Sequence, residues 1–73
     1  MLVRRRELIR RIRDEARRQE VGWAIDREGR NHTLYRLGAT MIPVPRHTEL
    51  DDRFAEAVFK ECEPELGERW WRT

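Results

Sequence analysis

The sequence predicts a small α+β domain in which a helix is followed by a three-stranded antiparallel sheet and a second helix. Three observations predict this order. Apolar residues recur at helical spacing near the start, apolar and polar residues alternate between glycine turns in the middle, and a second helical stripe follows residue 48. The chain has 73 residues, so we expect residues 1–73 to form one domain with both helices on one face of the sheet.

The first helix is predicted over residues 5–20. No glycine or proline interrupts this segment, and its apolar residues fall on one stripe. The stripe consists of Leu8, Ile9, Ile12 and Ala16.

Three strands are predicted in the middle of the chain, at residues 21–28, 32–37 and 40–44. Gly38 and Ala39 suit a two-residue type II′ hairpin turn with glycine in the first central position. Pro43 has no N–H to donate, so the third strand is expected at the edge of the sheet.

Alternation gives each strand a core face and an open face. Residues expected on the core face are Val21, Trp23, Ile25, Thr33, Tyr35, Leu37, Ile42 and Val44. His32, Leu34 and Arg36 are then expected on the open face.

The second helix is predicted to begin at Thr48, because Thr48 and Asp51 resemble a capping box. Its expected apolar stripe consists of Leu50, Phe54, Ala57, Val58 and Cys62. Pro64 should end or kink this helix. Trp70 and Trp71 follow in the tail, where they either fold back onto the helices or dock to a partner, and folding back is the favoured interpretation.

Charge is distributed unevenly between the two parts of the chain. Residues 1–48 hold 12 arginines and six acidic residues, whereas residues 49–73 hold three arginines, one lysine and eight acidic residues. A basic first part is typical of a surface that binds a polyanion, although basic helix residues are also common on a solvated face. The single cysteine, the lack of an apolar run of about 20 residues and the lack of a secretory apolar region predict a cytoplasmic protein without membrane contact.

Two histidines are the candidate catalytic residues. Histidine exchanges protons near neutral pH, and cleavage of RNA by its own 2′-hydroxyl needs a base, an acid and positive charge at the phosphate. His32 is a candidate general base or acid, with Arg30 and Arg36 as candidate phosphate partners; from the residues alone, an exposed histidine without a role is the favoured interpretation. Arg46 and His47 either bind a phosphate as well or brace the loop.

No metal or other cofactor is expected. The two histidines and the cysteine, at positions 32, 47 and 62, do not match the spacing of a zinc site. The acidic residues are expected on helices as partners of basic side chains. Cys62 is expected to be a small buried residue rather than a nucleophile.

The predicted element order resembles the double-stranded-RNA-binding architecture, and the motifs resemble the HicA family of bacterial toxins. Four stretches carry this resemblance: Arg6-Glu7-Leu8-Ile9-Arg10, Gly22-Trp23, Gly29-Arg30-Asn31-His32, and Ile42-Pro43-Val44-Pro45-Arg46-His47 followed by Glu49-Leu50. The family usually has Gly-Ser-His at the third stretch, whereas this chain has Arg30 and Asn31 before His32.

The resemblance implies a ribonuclease that cleaves messenger RNA without a metal, with His32 as the catalytic residue. It also implies a HicB-like antitoxin as a protein partner. Two other interpretations remain open from the residues: a non-catalytic RNA-binding module of the same fold, and an interaction protein whose basic helix and tryptophan tail bind an acidic protein.

Overall fold

The computed structural model describes residues 2–72, which form an α+β fold. Its elements in chain order are β1 (Leu2–Arg4), α1 (Arg5–Arg18), β2 (Trp23–Glu28), β3 (His32–Leu37), β4 (Thr40–Pro45), β5 (Glu49–Asp51), α2 (Asp52–Glu61) and α3 (Glu63–Leu66), followed by a 3₁₀ turn at Trp70–Arg72. The predicted α+β class is confirmed. The predicted three-stranded antiparallel sheet, which follows α1 and precedes α2 in the chain, is confirmed as well.

The larger sheet has the strand order β2-β3-β4, with antiparallel neighbours. As predicted, β4 is an edge strand, so Pro43 does not interrupt a central hydrogen-bond ladder. The turn between β3 and β4 contains Gly38 at φ 58°, which fits the positive φ of the first central position in a type II′ turn.

The core lies between the inner face of this sheet and the two longer helices. The inward residues predicted for β3 and β4 are buried, with Thr33 only 2% exposed. The apolar ones among them pack in one cluster with residues from α1, α2 and the C-terminal segment: Leu8, Ile12, Ala16, Ala55, Val58, Phe59, Cys62, Leu66 and Trp70. His32 and Arg36 are exposed, as the alternation predicted. No helix within residues 2–72 is long and apolar enough to span a bilayer.

The first helix ends at Arg18, two residues before the predicted end. The chain turns at Glu20, which has φ 60° although it is not a glycine. The backbone N–H of Val21 donates to the carbonyl of Ala16 at 2.8 Å, and this bond closes the helix end. The first strand of the larger sheet consequently begins at Trp23 rather than at residue 21.

A second, two-stranded sheet was not predicted from the sequence. In it, β1 and β5 pair antiparallel, with Val3 opposite Leu50. The prediction of a helix start at Thr48 was therefore wrong. The helix begins at Asp52, and its N-cap is Asp51, whose carboxylate accepts a hydrogen bond from the N–H of Arg53 at 2.8 Å.

Three residues predicted for the core are exposed instead. Ile25 is 53% exposed, because the burial of β2 ends near Trp23 and the pairing of β2 with β3 becomes irregular after Ile25. Phe54 is 49% exposed, and Ala57 is exposed as well. Since α2 buries Ala55 and Phe59 instead, Phe54 and Ala57 point away from the core.

The C-terminal segment packs against α2, as the favoured interpretation predicted. Pro64 lies in the first turn of α3, so the helical path breaks at Cys62. Trp70 is 7% exposed, and its indole N–H donates to the carbonyl of Phe59 at 2.8 Å. Trp71 is partly buried against the same core.

Candidate active site

A cavity of about 530 Å³ lies where the β2–β3 turn meets the chain that leaves β4. Four of the five predicted site residues line it: Arg30, His32, Arg46 and His47. These residues come together because β3 and β4 are antiparallel and the first residue of β3, His32, pairs with Pro45 at the end of β4. The chain then continues past the same edge to His47.

A backbone hydrogen bond beyond the end of the sheet joins the two sides of the cavity. The backbone N–H of Arg46 donates to the carbonyl of Asn31 at 3.1 Å. On the other side of the turn, the N–H of Gly29 donates to the carbonyl of His32 at 2.8 Å. A Cβ at position 29 would lie 2.9 Å from that carbonyl oxygen, so a side chain there would displace the backbone that carries His32.

Both histidines present free imidazoles. His32 and His47 are exposed, and neither side chain has a hydrogen bond or ion pair with another residue of the range 2–72. Their ring nitrogens are therefore accessible to a ligand in the cavity. His47 does not brace the loop against Trp23, because Trp23 pairs with Leu37 at one end of β3, whereas His47 follows Pro45, which pairs with His32 at the other end.

The two arginines of the cavity differ in their partners. Arg46 is fixed: its Nε donates to the carbonyl of Gly29 at 2.9 Å, and its Nη2 forms an ion pair with Glu28. Arg30 is exposed and makes no side-chain hydrogen bond within the described residues. The Arg30 guanidinium is thus the cavity's freely available cation, whereas Arg46 contributes charge from a defined position.

Arg36 does not line this cavity, so the structure does not bring it together with His32 there. It lies four residues along β3 from His32, which corresponds to about 13 Å in an extended strand. Its guanidinium forms an ion pair with Asp26 at 2.8 Å on the open face of the sheet. The alternation correctly placed both residues on one face, but it gave no information about how far apart they are along the strand.

Six residues of the cavity were not identified from the sequence as site residues, and three of them contribute an aromatic ring or a carboxylate. Phe54 contributes an exposed aromatic ring, and Glu49 and Asp51 contribute carboxylates. A sequence signal for Phe54 existed. Ala55, Val58, Phe59 and Cys62 follow the spacing i, i+3, i+4 and i+7, which is a better helical stripe than one that includes Leu50. That stripe leaves Phe54 outside the core.

The residues outside the cavity offer less for chemistry. Cys62 is fully buried, and burial raises the pKa of its thiol to about 12, so it is a packing residue as predicted. Within residues 2–72, no group of three or more His, Cys, Asp or Glu side chains is arranged to hold a metal ion.

The cavity combines two imidazoles, the free guanidinium of Arg30, an exposed aromatic ring and two carboxylates in one open site. The guanidinium and the aromatic ring suit a ligand that carries both a phosphate and a flat apolar group. Comparisons with protein-family models, with characterised proteins and with solved structures found no match to this chain.

Proposed function

We propose that this protein is a ribonuclease that cleaves RNA without a metal, and that His32 and His47 carry the proton transfers. The observation that supports this proposal is the presence of both free imidazoles in one cavity with Arg30. Two histidines on either side of a phosphate can act as the base and the acid of one reaction. The resemblance to the HicA family, in which the residue at the position of His32 is catalytic, supports the same assignment.

In the proposed reaction, one imidazole accepts the proton of a ribose 2′-hydroxyl. The 2′-oxygen attacks the adjacent phosphorus and forms a new P–O bond. The bond from phosphorus to the 5′-oxygen of the next nucleotide breaks, and the other histidine, as an imidazolium, donates a proton to that oxygen. The products are a 2′,3′-cyclic phosphate and a 5′-hydroxyl. Arg30 is the side chain available to stabilise the charge that develops on the phosphate oxygens.

The proposal includes a biological setting that follows from the HicA resemblance. The order of α1, β2, β3, β4 and α2 suits the double-stranded-RNA-binding architecture, to which β1 and β5 add a small second sheet. We propose a cytoplasmic toxin that cleaves messenger RNA and is neutralised by a HicB-like antitoxin.

A cleavage assay with purified protein tests this proposal. A labelled RNA is incubated in EDTA with the wild type, His32→Ala and His47→Ala. We expect each variant to cleave at least about 10²-fold more slowly, because general acid–base catalysis contributes about 10²–10⁴-fold. We also expect a 2′-O-methyl RNA to remain intact, since its 2′-oxygen has no proton to lose. Both histidines are exposed and unpaired, so circular dichroism melting curves should match the wild type.

Arg30 and Arg36 provide a matched control. Arg30→Ala removes the free cation of the cavity, whereas Arg36→Ala removes an equal charge on the open face of the sheet. We expect only Arg30→Ala to slow cleavage. An inactive wild type, or histidine variants that cleave at the wild-type rate, would overturn the proposal.

A non-catalytic RNA-binding module is the second candidate function. The observation that favours it is the exposed ring of Phe54 in the same cavity as Arg30, because stacking and phosphate contacts bind RNA without any need for cleavage. In that case the same assay shows intact RNA, while RNA binds with an affinity that falls steeply with salt. Induced expression in bacteria separates the two candidates further, since only the ribonuclease should arrest growth in a His32-dependent manner.

A further inference from the structure

A second cavity, of about 370 Å³, lies between the start of α1 and the chain that leaves β4. Four arginines and a threonine line this arginine cleft: Arg4, Arg5, Arg6, Arg46 and Thr48. Guanidinium groups that line one cavity without an anionic partner repel one another, and a bound anion would relieve this repulsion.

Two of the four arginines are already committed to internal partners. Arg5 donates to the carbonyl of Pro45 and to the hydroxyl of Thr33, and Arg46 is held by Glu28. The side chains of the other two, Arg4 and Arg6, are exposed and make no hydrogen bond or ion pair within residues 2–72. They are the groups free to bind an anion.

The arginine cleft is adjacent to the histidine cavity, because Arg46 lines both. Backbone contacts fix the two sites relative to each other. The N–H of Arg5 donates to the carbonyl of Thr48 at 2.8 Å, and Nε of Arg5 donates to the carbonyl of Pro45 at 2.7 Å. Since Pro45 also lines the histidine cavity, a single extended ligand could occupy both sites.

We infer that the arginine cleft binds a second phosphate of the RNA strand whose scissile phosphate lies in the histidine cavity. This inference rests on the proposed function and names a second binding site for the same substrate. Arginine matches the geometry of a phosphate with paired N–H donors. Glu49 lies opposite Arg4 in the pairing of β1 with β5 but forms no ion pair with it, so Arg4 remains available.

Binding of an uncleavable RNA tests the inference independently of catalysis. The probe is a 2′-O-methyl oligonucleotide of about twelve nucleotides, a length within the range covered by small single-strand binding domains. Affinity is measured by fluorescence anisotropy at several KCl concentrations for the wild type and two double variants. Arg4→Ala/Arg6→Ala alters the cleft, and Arg13→Ala/Arg17→Ala removes the same charge from exposed positions further along α1.

We expect the cleft variant to bind about fivefold more weakly at moderate salt, since each exposed ion pair contributes a modest free energy. The slope of log K against log[KCl] should become less negative by about 0.7, the value expected when one phosphate of a single strand is no longer neutralised by the protein. The control variant should retain the wild-type slope. Equal slopes for the two variants, or a wild-type slope for the cleft variant, would overturn the inference.

A cleavage experiment adds a second readout. A dinucleotide whose single phosphate is the scissile one has no second phosphate for the cleft, so the cleft variant should cleave it as the wild type does. Its kcat/KM for the longer RNA should fall about fivefold. If the wild type cleaves neither substrate, the proposed function fails. The binding experiment then still tests whether the arginine cleft binds a phosphate of the RNA. If the cleft variant loses affinity for polyglutamate but not for RNA, the cleft is a site for an acidic protein and the inference is wrong.

Discussion

Arg5 joins the start of α1 to the sheet beside the histidine cavity, and we expect Arg5→Ala to destabilise the fold much more than Arg6→Ala. Nε of Arg5 donates to the carbonyl of Pro45 at 2.7 Å, and its Nη2 donates to the hydroxyl of Thr33 at 2.8 Å. Arg6 is adjacent in the same helix turn, but its side chain makes no hydrogen bond or ion pair within residues 2–72. The two substitutions remove the same atoms and differ mainly in these two bonds.

The expected magnitude follows from the two bonds that the substitution removes. A hydrogen bond from a charged donor contributes about 1.5–3 kcal/mol, and because this site is only part-buried, two such bonds should contribute about 3 kcal/mol. A domain of this length has a free energy of unfolding of about 4–11 kcal/mol. Arg5→Ala should therefore remove a large share of the stability, whereas Arg6→Ala should change it by no more than about 0.5 kcal/mol.

Urea titration followed by circular dichroism measures both variants. With a denaturant slope of about 1 kcal/mol/M, the midpoint of Arg5→Ala should fall by about 3 M and that of Arg6→Ala by less than about 0.5 M. Equal midpoints for the two variants would refute the reasoning, because the two hydrogen bonds would then contribute nothing to the free energy of unfolding.

Further predictions concern buried groups, acid stability and the charge of the cavity. Burial raises the pKa of the Cys62 thiol from 9.0 to about 12, so at pH 8 iodoacetamide should label the native protein about a thousandfold more slowly than an exposed thiol; rapid labelling without urea would contradict this. Hydrogen bonding, first of all from Arg18, lowers the pKa of Glu15 from 4.5 to about 2, so the unfolded chain takes up this proton first and stability falls as pH decreases from 4.5 toward 2. Glu15→Gln should reduce this loss of stability, measured by urea titration at several pH values between 4.5 and 2. If the variant loses as much stability as the wild type, Glu15 does not have the lowered pKa. Trp70→Ala empties a site that is 7% exposed and should cost about 3–5 kcal/mol in urea titration; a decrease below about 1 kcal/mol would show that the tail is not part of the core. Glu49→Gln removes a carboxylate from the histidine cavity and should strengthen RNA binding about threefold at low salt, whereas unchanged affinity in anisotropy would place the RNA elsewhere.

The central sheet could be predicted from the sequence because its signals are local. Strand β3 alternates between buried and exposed side chains over its whole length, and the Gly38 turn fixes which residues of β4 oppose it. An error of one residue in this register would place every side chain on the wrong face. The inward positions of Thr33 and Tyr35 therefore determined that His32 points outward.

The small sheet could not be predicted in the same way. Strands β1 and β5 have three residues each, which is too short for alternation to be distinguished from chance, and they are separated by more than 40 residues of chain. Their pairing is set by tertiary contacts such as the bond from Arg5 to Thr48. Because Leu50 was assigned to the helix instead of β5, the apolar stripe of α2 was misplaced and Phe54 was taken for a core residue.

The geometry of the candidate active site depends on the same register that buries the core. His32 pairs with Pro45, and His47 follows two residues later, so the two imidazoles reach one cavity only when β3 and β4 pair as the buried Val44 requires. A slip of one residue would turn His32 toward the helices and leave Thr33 exposed. The core pattern of β3 and β4 thus holds the two histidines together, although neither histidine is part of the core. This dependence explains why alternation in the sequence located His32 but could not relate it to His47, whose position is set by the path of the chain after β4.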